Sequence, residues 1–591
     1  MDLTRKHLTK QTSVLYCVGT VIDIETTELP VTKVWMIGSL NEAGEVRNFQ
    51  YPFNVEEIQE WFDQYDHIIG HNIIDFDAVY LENIVGVSLA GSKVIDTLIL
   101  SRLDNPQREG GHSLKSWGKR IGLYKGEHND FTKYSKEMEE YCIQDLKITQ
   151  KVFEILSSNL QSFGDTSIDL ESKVQSIITR QVQHGWLLDT AKCWSLVGKL
   201  KERKIEIEEE VHDKFIPLAS FVKEVTPKYK KNKELSNVGL KFLGSNWQCV
   251  VGPLSHIEFT EFNLGSRKQI ARYLQYFGWK PKKYTEKGHP IVDEKILSAV
   301  KNIPEAQLIA EYLLIQKRIA QVTSWIEARN EQDGRVHGYV NTIGAITGRM
   351  THNSPNLAQV PSSYSPYGAE CRQCWTVPSG YKLVGVDASG LELRMLAHYM
   401  NDKEYTNEII NGDVHTANQK AAGLTTRDAA KTFIYAFLYG AGDGKIGSIV
   451  GGTASDGARL KALFLKNTPA IRNLRERVSR ASIRGYLKGI DGRKLIIRSG
   501  HAALNTLLQS AGAIIMKKAL TLLDNHATIS NIQYQFVGNI HDEFQIEVVE
   551  KDAKKLGWLA VECIKAAGLE FNLNCPLDGE YKVGNSWAET H

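Results

Sequence analysis

The sequence predicts an α/β protein of several domains, and three observations carry that reading. Its 591 residues exceed what a single core organises; at about 150 residues per domain, about three or four are expected. Residues 20–155, and again the stretch from 335 onward, alternate short β-rich runs with helical ones, as layered α/β folds do. Between them lies a mainly helical middle, 167–214, 266–278 and 304–327, with apolar residues at helical spacing.

Thr20–Ile24 and His67–His71 read as strands, and Tyr134–Leu156 as an amphipathic helix. Residues 167–214 read as one continuous helix, with charge concentrated in Lys199–Lys214. The texture changes at 217–260, where prolines, glycines and the run Lys228, Lys230, Lys231 and Lys233 interrupt the helical pattern. This is an insertion between two helical segments. No internal repeat or low-complexity tract stands out.

Hydrophobic content of 42% and charged content of 24% are ordinary for a soluble globular chain. No run of about 18 apolar residues marks a membrane span. Arg5, Lys6 and Lys10 followed by an apolar stretch look faintly like a secretory signal, but that stretch runs directly into Asp23-Ile-Glu25, so a first core strand is the better reading. Of the eight cysteines only Cys371 and Cys374 form C-x-x-C. With no second pair nearby they do not make a zinc site, and scattered free thiols imply a reducing, cytoplasmic setting. A net charge of +2 does not mark a nucleic-acid binder; any such surface must come from local segregation of charge.

Two sets of acids carry the chemistry. Asp23 and Glu25 stand two apart in a β-like run, so a strand puts both carboxylates on one face. Such a pair is costly unless something cationic binds there. Asp77 follows His71-Asn72, with Asp75 as a nearby alternative. Asp145 lies on the expected helix, with Tyr141 one turn earlier on the same face. Four acids and a tyrosine suit two Mg²⁺ ions flanking a scissile phosphate, with Tyr141 orienting the attacking water. One D-x-E means little; the ordered series D-x-E, H-N-x-x-x-x-D and Y-x-x-x-D is far more specific.

That series resembles the DEDDy proofreading exonucleases attached to DNA polymerases. Ile95–Leu103 and His112–Gly118 resemble the exonuclease domain of T-seven-type phage replicative polymerases. The resemblance implies that Asp23, Glu25, Asp77 and Asp145 hold metal, that Tyr141 assists, and that His112 is a candidate substrate contact.

The second set spans three blocks. In Val384-Gly-Val-Asp387-Ala-Ser-Gly-Leu391-Glu392 a strand ends in an acid and a helix follows a glycine turn. Taken alone, Asp387 could equally be a helix N-cap. Arg427, Lys431, Tyr435 and Tyr439 recur every four residues along one helix face. Two cations followed by two aromatics suit a nucleoside triphosphate, although core aromatics with solvated charges are commoner on arbitrary helices. His415 adds a candidate phosphate contact. The tail Gly440–Lys445 lacks a P-loop ending and reads as a flexible exit from the helix. In Val537–Val548, Asp542 and Glu543 lie at an acidic turn between β-rich flanks.

These blocks resemble motif A, the fingers O-helix and motif C of family A polymerases, the bacterial polymerase I class. The resemblance implies Asp387 and Asp542 as shared metal ligands, with the Leu391 backbone beside them and Glu543 as a near-site acid. It implies Glu392 as the steric gate against a ribose 2′-OH. Thr347–Gln359 and Ala503–Gly512 resemble duplex-gripping elements. Arg349, Asn505 and Gln509 would feel base-pair shape from the minor groove, Arg349 alternatively contacting a phosphate.

The likeness runs from about residue 20 to His591. It implies a ribonuclease H-like exonuclease domain at 1–160, then a right-hand polymerase. The thumb would span 161–320, with its basic insertion at about 217–260. The palm would span 321–395 and 500–591, and the fingers 396–499, with the O-helix at about 427–440. The expected function is replicative, DNA-directed DNA synthesis by two-metal nucleotidyl transfer with 3′–5′ proofreading, on primer-template DNA and dNTPs. Mg²⁺ is the expected ion, two per site, with Mn²⁺ as substitute. The alternatives are a dedicated nuclease, or a DNA-binding scaffold with an inactive polymerase half. The setting implied is the cytoplasm of an infected bacterial host, with replisome helicase or primase as further partners. The 217–260 segment is shorter than the insertion by which the phage enzymes capture thioredoxin. It holds six lysines against three glutamates, together with Phe221, Leu240, Phe242, Trp247, Val250 and Val251. A DNA-retaining element, a dock for a thioredoxin-like processivity factor and a plain surface loop all stay open.

Overall fold

Val21, Ile22 and Ile24 are almost wholly enclosed, so the run that carries Asp23 and Glu25 is a central strand covered on both faces, not an alternating edge strand. A computed structural model describes residues 19–161, 165–237 and 252–591. The first strand, β1 (Gly19–Thr26), lies between β2 (Val34–Asn41), itself flanked by β3 (Val46–Gln50), and β4 (His67–Gly70), beyond which runs β5 (Lys93–Asp96). The order is β3-β2-β1-β4-β5. β1 to β3 pair antiparallel, while β1, β4 and β5 pair parallel. The helix Lys136–Leu160 starts at Ser135, whose side chain accepts from Met138 N, and buries Leu146, Val152 and Leu156.

The expected continuous helix over 167–214 is two helices, Asp165–His184 and Thr190–Lys214. Gly185, at φ +68°, ends the first. β6 (Trp186–Leu188) follows, and Asp189 caps the second by accepting from Lys192 N. These were readable stop and start signals. β7 (Leu218–Val225) and β8 (Leu254–Thr260) pair into an antiparallel ribbon. Leu240, Phe242, Trp247, Val250 and Val251 of the insertion lie outside the described residues. The helices Arg267–Tyr276 and Pro304–Glu327 follow where expected.

β9 (Arg335–Val336) joins β6 and β12 (Trp375–Thr376) in a small sheet, after β10 (Tyr339–Asn341) and β11 (Thr351–Asn353) have paired. β13 (Tyr381–Ala388) is the central strand of the last large sheet. The hairpin β14 (Tyr486–Lys488) and β15 (Lys494–Ile496) precedes the long helix Ala503–Ile529. β16 (Tyr534–Ile540), β17 (Glu543–Val549) and β18 (Gly579–Gly584) complete that sheet in the order β16-β17-β13-β18. The helix Ala503–Ile529 is the apolar spine here: Leu507, Ile514, Ile515 and Leu520 join a core that includes Val384, Leu396, Phe433 and Ile546. Gly512 lets it approach Leu391, since a β-carbon there would stand 3.3 Å from a Leu391 methyl.

Two compact units divide the described chain. One comprises the segments Met1–Leu188 and Ala328–His591, the other Asp189–Glu327. The helix Arg427–Leu438 ends one residue before Tyr439, which serves as its C-cap. Gly440 does not open a flexible exit as expected. It turns at φ +73° and the chain re-enters a helix at Asp443. Among the described residues no helix is long and apolar enough to cross a membrane.

Candidate active sites

β1 directs Asp23 and Glu25 to the same side, and the loop after β4 brings in a third acid. Asp77 heads the short helix Asp77–Tyr80, and its Oδ1 accepts from the backbone N of Ile24, between the two strand acids, at 3.1 Å. Asp75 is turned away and accepts from Gln175 Nε2 at 2.7 Å and from the Thr179 hydroxyl. The spacing from His71-Asn72 therefore selects Asp77. Asp145 arrives from the helix Lys136–Leu160 and pairs with Lys125.

Burial raises all four carboxyls. Asp23 lies well above its ordinary range, through enclosure and then the charges of Glu25, Asp145 and Asp77. Glu25 reaches about 8 through burial and then Asp145. Asp77 reaches about 7 through burial, opposed by the backbone hydrogen bonds it accepts. Asp145 is raised by burial while Lys125 pulls it back. Four acids pushed upward together need cations to ionise.

Among the described residues, Oδ1 of Asp145 is buried without a hydrogen-bond partner, an acceptor for which a hard cation is the natural complement. Cys142 Sγ also lies within 4.8 Å of ligand atoms of Asp23 and Glu25. Its thiol is raised by burial and points at the Asp23 carbonyl at 3.8 Å. It remains a protonated neighbour, not a ligand for an oxygen-preferring ion. His112 engages Ser101 Oγ at 2.8 Å and the Pro106 carbonyl at 3.3 Å, so both ring nitrogens are occupied. Asp96 was not singled out from sequence. It accepts from Asn72 N and Leu98 N, and burial raises it to about 6. Lys125 was missed as well.

The second cluster forms where β13 ends beside the β16–β17 turn. Asp387 is in register with Glu543, and the Ala388 N–H donates to the Asp542 carbonyl at 3.2 Å. The turn runs through His541 at φ +60°. Asp387 opens to solvent at the strand end, yet the surrounding protein and then Asp542 raise its carboxyl to about 7. Burial raises Asp542 too.

Glu543 differs. Burial works to raise it, but His591 Nδ1 at 2.8 Å and Gln545 Nε2 at 2.5 Å hold it below its ordinary range. Trp587 Nε1 donates to it as well, at 2.6 Å. Its oxygens are thus turned to internal partners, which separates it from Asp387 and Asp542. No motif in the sequence pointed to His591 or Trp587.

Leu391 opens the helix Leu391–Met400, directly after Gly390. Glu392 accepts from Arg349 Nη2 at 3.2 Å and from the Tyr439 hydroxyl at 2.7 Å. Tyr435 and Tyr439 lie 6.4 Å apart by ring centroids, and His415 lies 6.3 Å from Tyr435. Burial and then the charges of Arg427 and Lys431 lower His415, so those two cations face it. Arg427 pairs with Asp413 through Nε at 2.6 Å and Nη2 at 3.2 Å. Asn505 and Gln509 are the half-buried positions on the otherwise enclosed first turns of the helix Ala503–Ile529.

Residues 252–589 match the sequence model of DNA polymerase family A. The DNA-directed DNA polymerase of Enterobacteria phage T3 is 35% identical over an alignment 650 positions long, gaps included, covering 89% of this chain and 92% of the relative. That of Escherichia phage T7 matches to the same extent. A Helicobacter pylori DNA polymerase I is 23% identical across 91% of the chain and 57% of its own length. Among solved structures, the polymerase domain of Pol1 from M. smegmatis in complex with DNA primer-template and dNTP is similar in fold. Its TM-score is 0.77 at 18% identity, with 97% and 96% of the two chains covered. The chain belongs to DNA polymerase family A.

Proposed function

We propose that this DNA-directed DNA polymerase is a replicative enzyme that extends primer-template DNA with dNTPs at the Asp387–Asp542 cluster and proofreads 3′ ends at the Asp23–Asp145 cluster. The observation that carries the reading is the meeting of Asp387 and Asp542, two carboxyls raised above their ordinary range, across the β13 and β17 strands. A divalent cation bound between such carboxyls favours their ionised form. Asp387 and Asp542 would hold Mg²⁺, with the Leu391 carbonyl nearby, and Asp23, Glu25, Asp77 and Asp145 would hold it in the first cluster. Bound there, the ions supply charge neutralisation at phosphate and a more acidic attacking hydroxyl or water.

The chain's own groups do the positioning. Arg427 and Lys431 present positive charge to a triphosphate, with the neutral His415 ring beside them as a hydrogen-bonding contact, and Asp413 holds Arg427 in place until phosphate oxygens replace it. Glu392, fixed by Arg349 and Tyr439, forms a wall beside the sugar. Tyr435 offers an aromatic face to sugar and base. Arg349, Asn505 and Gln509 would touch the minor groove, where acceptors barely depend on sequence. At the first cluster, Tyr141 would orient the attacking water.

In domain terms, 1–160 would be the exonuclease and 161–320 the thumb. Residues 321–395 and 500–591 would be the palm, and 396–499 the fingers. For 217–260 we favour a DNA-retaining role. Lys228, Lys230, Lys231 and Lys233 are exposed there, and so are Phe221, Ile257 and Phe259 on the ribbon. A short Gly/Ser replacement should then shorten products per binding event, more so at high salt. Thioredoxin would lengthen the products of the intact chain if the segment docks a partner. The phage relatives suggest a phage-encoded enzyme working in a bacterial host.

The test is primer extension and single-strand digestion by the same preparations in Mg²⁺. Asp542→Asn or Asp387→Asn should abolish extension and leave digestion, and Asp23→Ala with Glu25→Ala should do the reverse. Loss of both activities from either change in a folded protein refutes two independent sites.

A further inference from the structure

The loop between the helices Leu114–Ile121 and Lys136–Leu160 delivers one cation into the first acid cluster, and three separate contacts seat it. Gly118 has no room for a side chain, since a β-carbon there would stand 2.4 Å from the Leu123 carbonyl and 3.3 Å from Lys125 N. The Tyr124 carbonyl accepts from Gln144 Nε2 at 3.0 Å, tying the loop to the helix that bears Asp145. At Gly126 a β-carbon would press on the Tyr141 ring at 3.3 Å. Between these fixed points Lys125 reaches inward. Its ammonium pairs with Asp145 Oδ2 and lies 4.7 Å from the centroid of the Tyr141 ring.

Asp145 is 3% exposed at its side chain, whereas Lys125 is 24% exposed. The acid is therefore locked in, while the cation keeps a path to solvent. Asp145 Oδ1, the oxygen Lys125 does not take, is the buried one without a hydrogen-bond partner among the described residues.

We propose that Lys125 is a resident counter-ion of the exonuclease cluster, which holds Asp145 and Tyr141 in place without metal and competes with the divalent ion for Asp145. The proposal rests on the reading that the four acids bind metal. A divalent ion drawn to the open Oδ1 meets the positive charge that Lys125 already holds at Oδ2 of the same carboxylate, and their repulsion drives the ammonium outward as the ion enters. The lysine thereby sets how much metal the site requires. The Asp387–Asp542 pair has no ammonium of this kind on it among the described residues, so the two clusters would fill at different metal concentrations. Lys125 acts through Asp145 and is a positioning residue.

The test uses the full chain carrying Asp387→Asn and Asp542→Asn, so that Mn²⁺ counted by electron paramagnetic resonance reports on the first cluster. In that background Lys125→Met should bind its first Mn²⁺ about ten- to a thousandfold more tightly, the range over which a neighbouring charge alters a carboxylate's hold on a proton. Lys125→Arg, which keeps the charge, should stay near the parent. Unchanged or weaker binding by a folded Lys125→Met protein overturns the proposal. Absence of Mn²⁺ binding by the parent would remove the metal reading itself, and the proposal with it. A second measurement needs no substitution at Lys125: an amine-acylating reagent should label Lys125 in the parent faster with Mn²⁺ than with EDTA. Equal labelling while Mn²⁺ is bound means that the ammonium does not move, and refutes competition.

Discussion

Glu171 offers the sharpest test of what holds the larger compact unit together. Its carboxylate is fully enclosed and takes two cations at once, Lys517 Nζ at 2.7 Å and Arg493 Nη1 at 2.6 Å. Arg493 in turn grips Asp491 at 2.7 Å, and Lys517 also donates to the Thr342 carbonyl at 2.8 Å. Four charges with little contact with water join the helices Asp165–His184 and Ala503–Ile529 to the β14–β15 turn. Glu171→Gln keeps the shape and removes one negative charge, leaving Lys517 without a compensating anion in a place it cannot leave. Breaking one partner out of a buried pair costs roughly 3–5 kcal/mol, a large share of the ~5–15 kcal/mol that stabilises a typical domain.

Urea unfolding followed by tryptophan fluorescence should show the midpoint moving down by about 1 M or more, taking a slope of about 3 kcal/mol/M. Glu154→Gln is the control: its pair with Lys151 is about half exposed on both sides, and its loss should cost at most about 1 kcal/mol. Adding Lys517→Met to Glu171→Gln should recover part of the loss, because the stranded ammonium goes with it. A Glu171→Gln loss no larger than the control's, or a double variant that loses the full sum of both changes, would refute this account of the network.

Four further outcomes are expected. Glu25 holds its proton to about 8 in the folded chain against an ordinary 4.5, so without metal its contribution to stability is lost as pH rises across that window. In EDTA melts, Glu25→Gln should therefore gain on the parent more at about pH 8 than at about pH 5; the opposite slope counts against a raised carboxyl. Glu392→Ala removes the carboxylate held by Arg349 and Tyr439, and single-nucleotide assays should show greater ribonucleotide incorporation if that side chain excludes a 2′-OH. Tyr435→Phe should reduce dideoxynucleotide use by orders of magnitude if its hydroxyl stands in for a missing 3′-OH, and equal use by both proteins discards that role. Gly348 sits at φ +75° with Arg493 Nη1 only 2.9 Å from any β-carbon, so Gly348→Ala should destabilise by at least about 1 kcal/mol. It should also weaken primer-template binding through the neighbouring Arg349; a folded variant with parental stability contradicts the crowding.

The residues legible in the sequence are those whose partners lie close by in the chain. Asp23 with Glu25, Tyr141 with Asp145, and Arg427 with Lys431 each share a strand or helix face, and periodicity alone places them together. The choice of Asp77 over Asp75 also rested on local spacing, and the structure turns Asp75 to Thr179 and Gln175. The long middle helix expected over 167–214 breaks in two at Gly185 and Asp189, which carry ordinary stop and start signals. Helical periodicity on both sides of a three-residue strand masks the break, because Trp186 and Leu188 are as apolar as a helix face requires.

What stayed hidden is the compensating charge. An acid cluster is a folding problem before it is a catalytic device: like charges in a poorly solvated site oppose the native state until cations arrive. The partners that settle these acids come from segments with no local reason to be paired with them. Lys125 lies in an irregular loop, His591 meets Glu543 across the last sheet, and Lys517 meets Glu171 across 346 residues of chain. The two acid clusters solve the problem differently. The first seats an ammonium on Asp145 and leaves one of its oxygens unpartnered. The second commits Glu543 to His591, Trp587 and Gln545. That leaves Asp387 and Asp542 as the acids with charge to offer an incoming ion. Selecting which carboxylates remain available is thus done by distant residues, and those residues are where altered metal demand should appear without any change in the acids themselves.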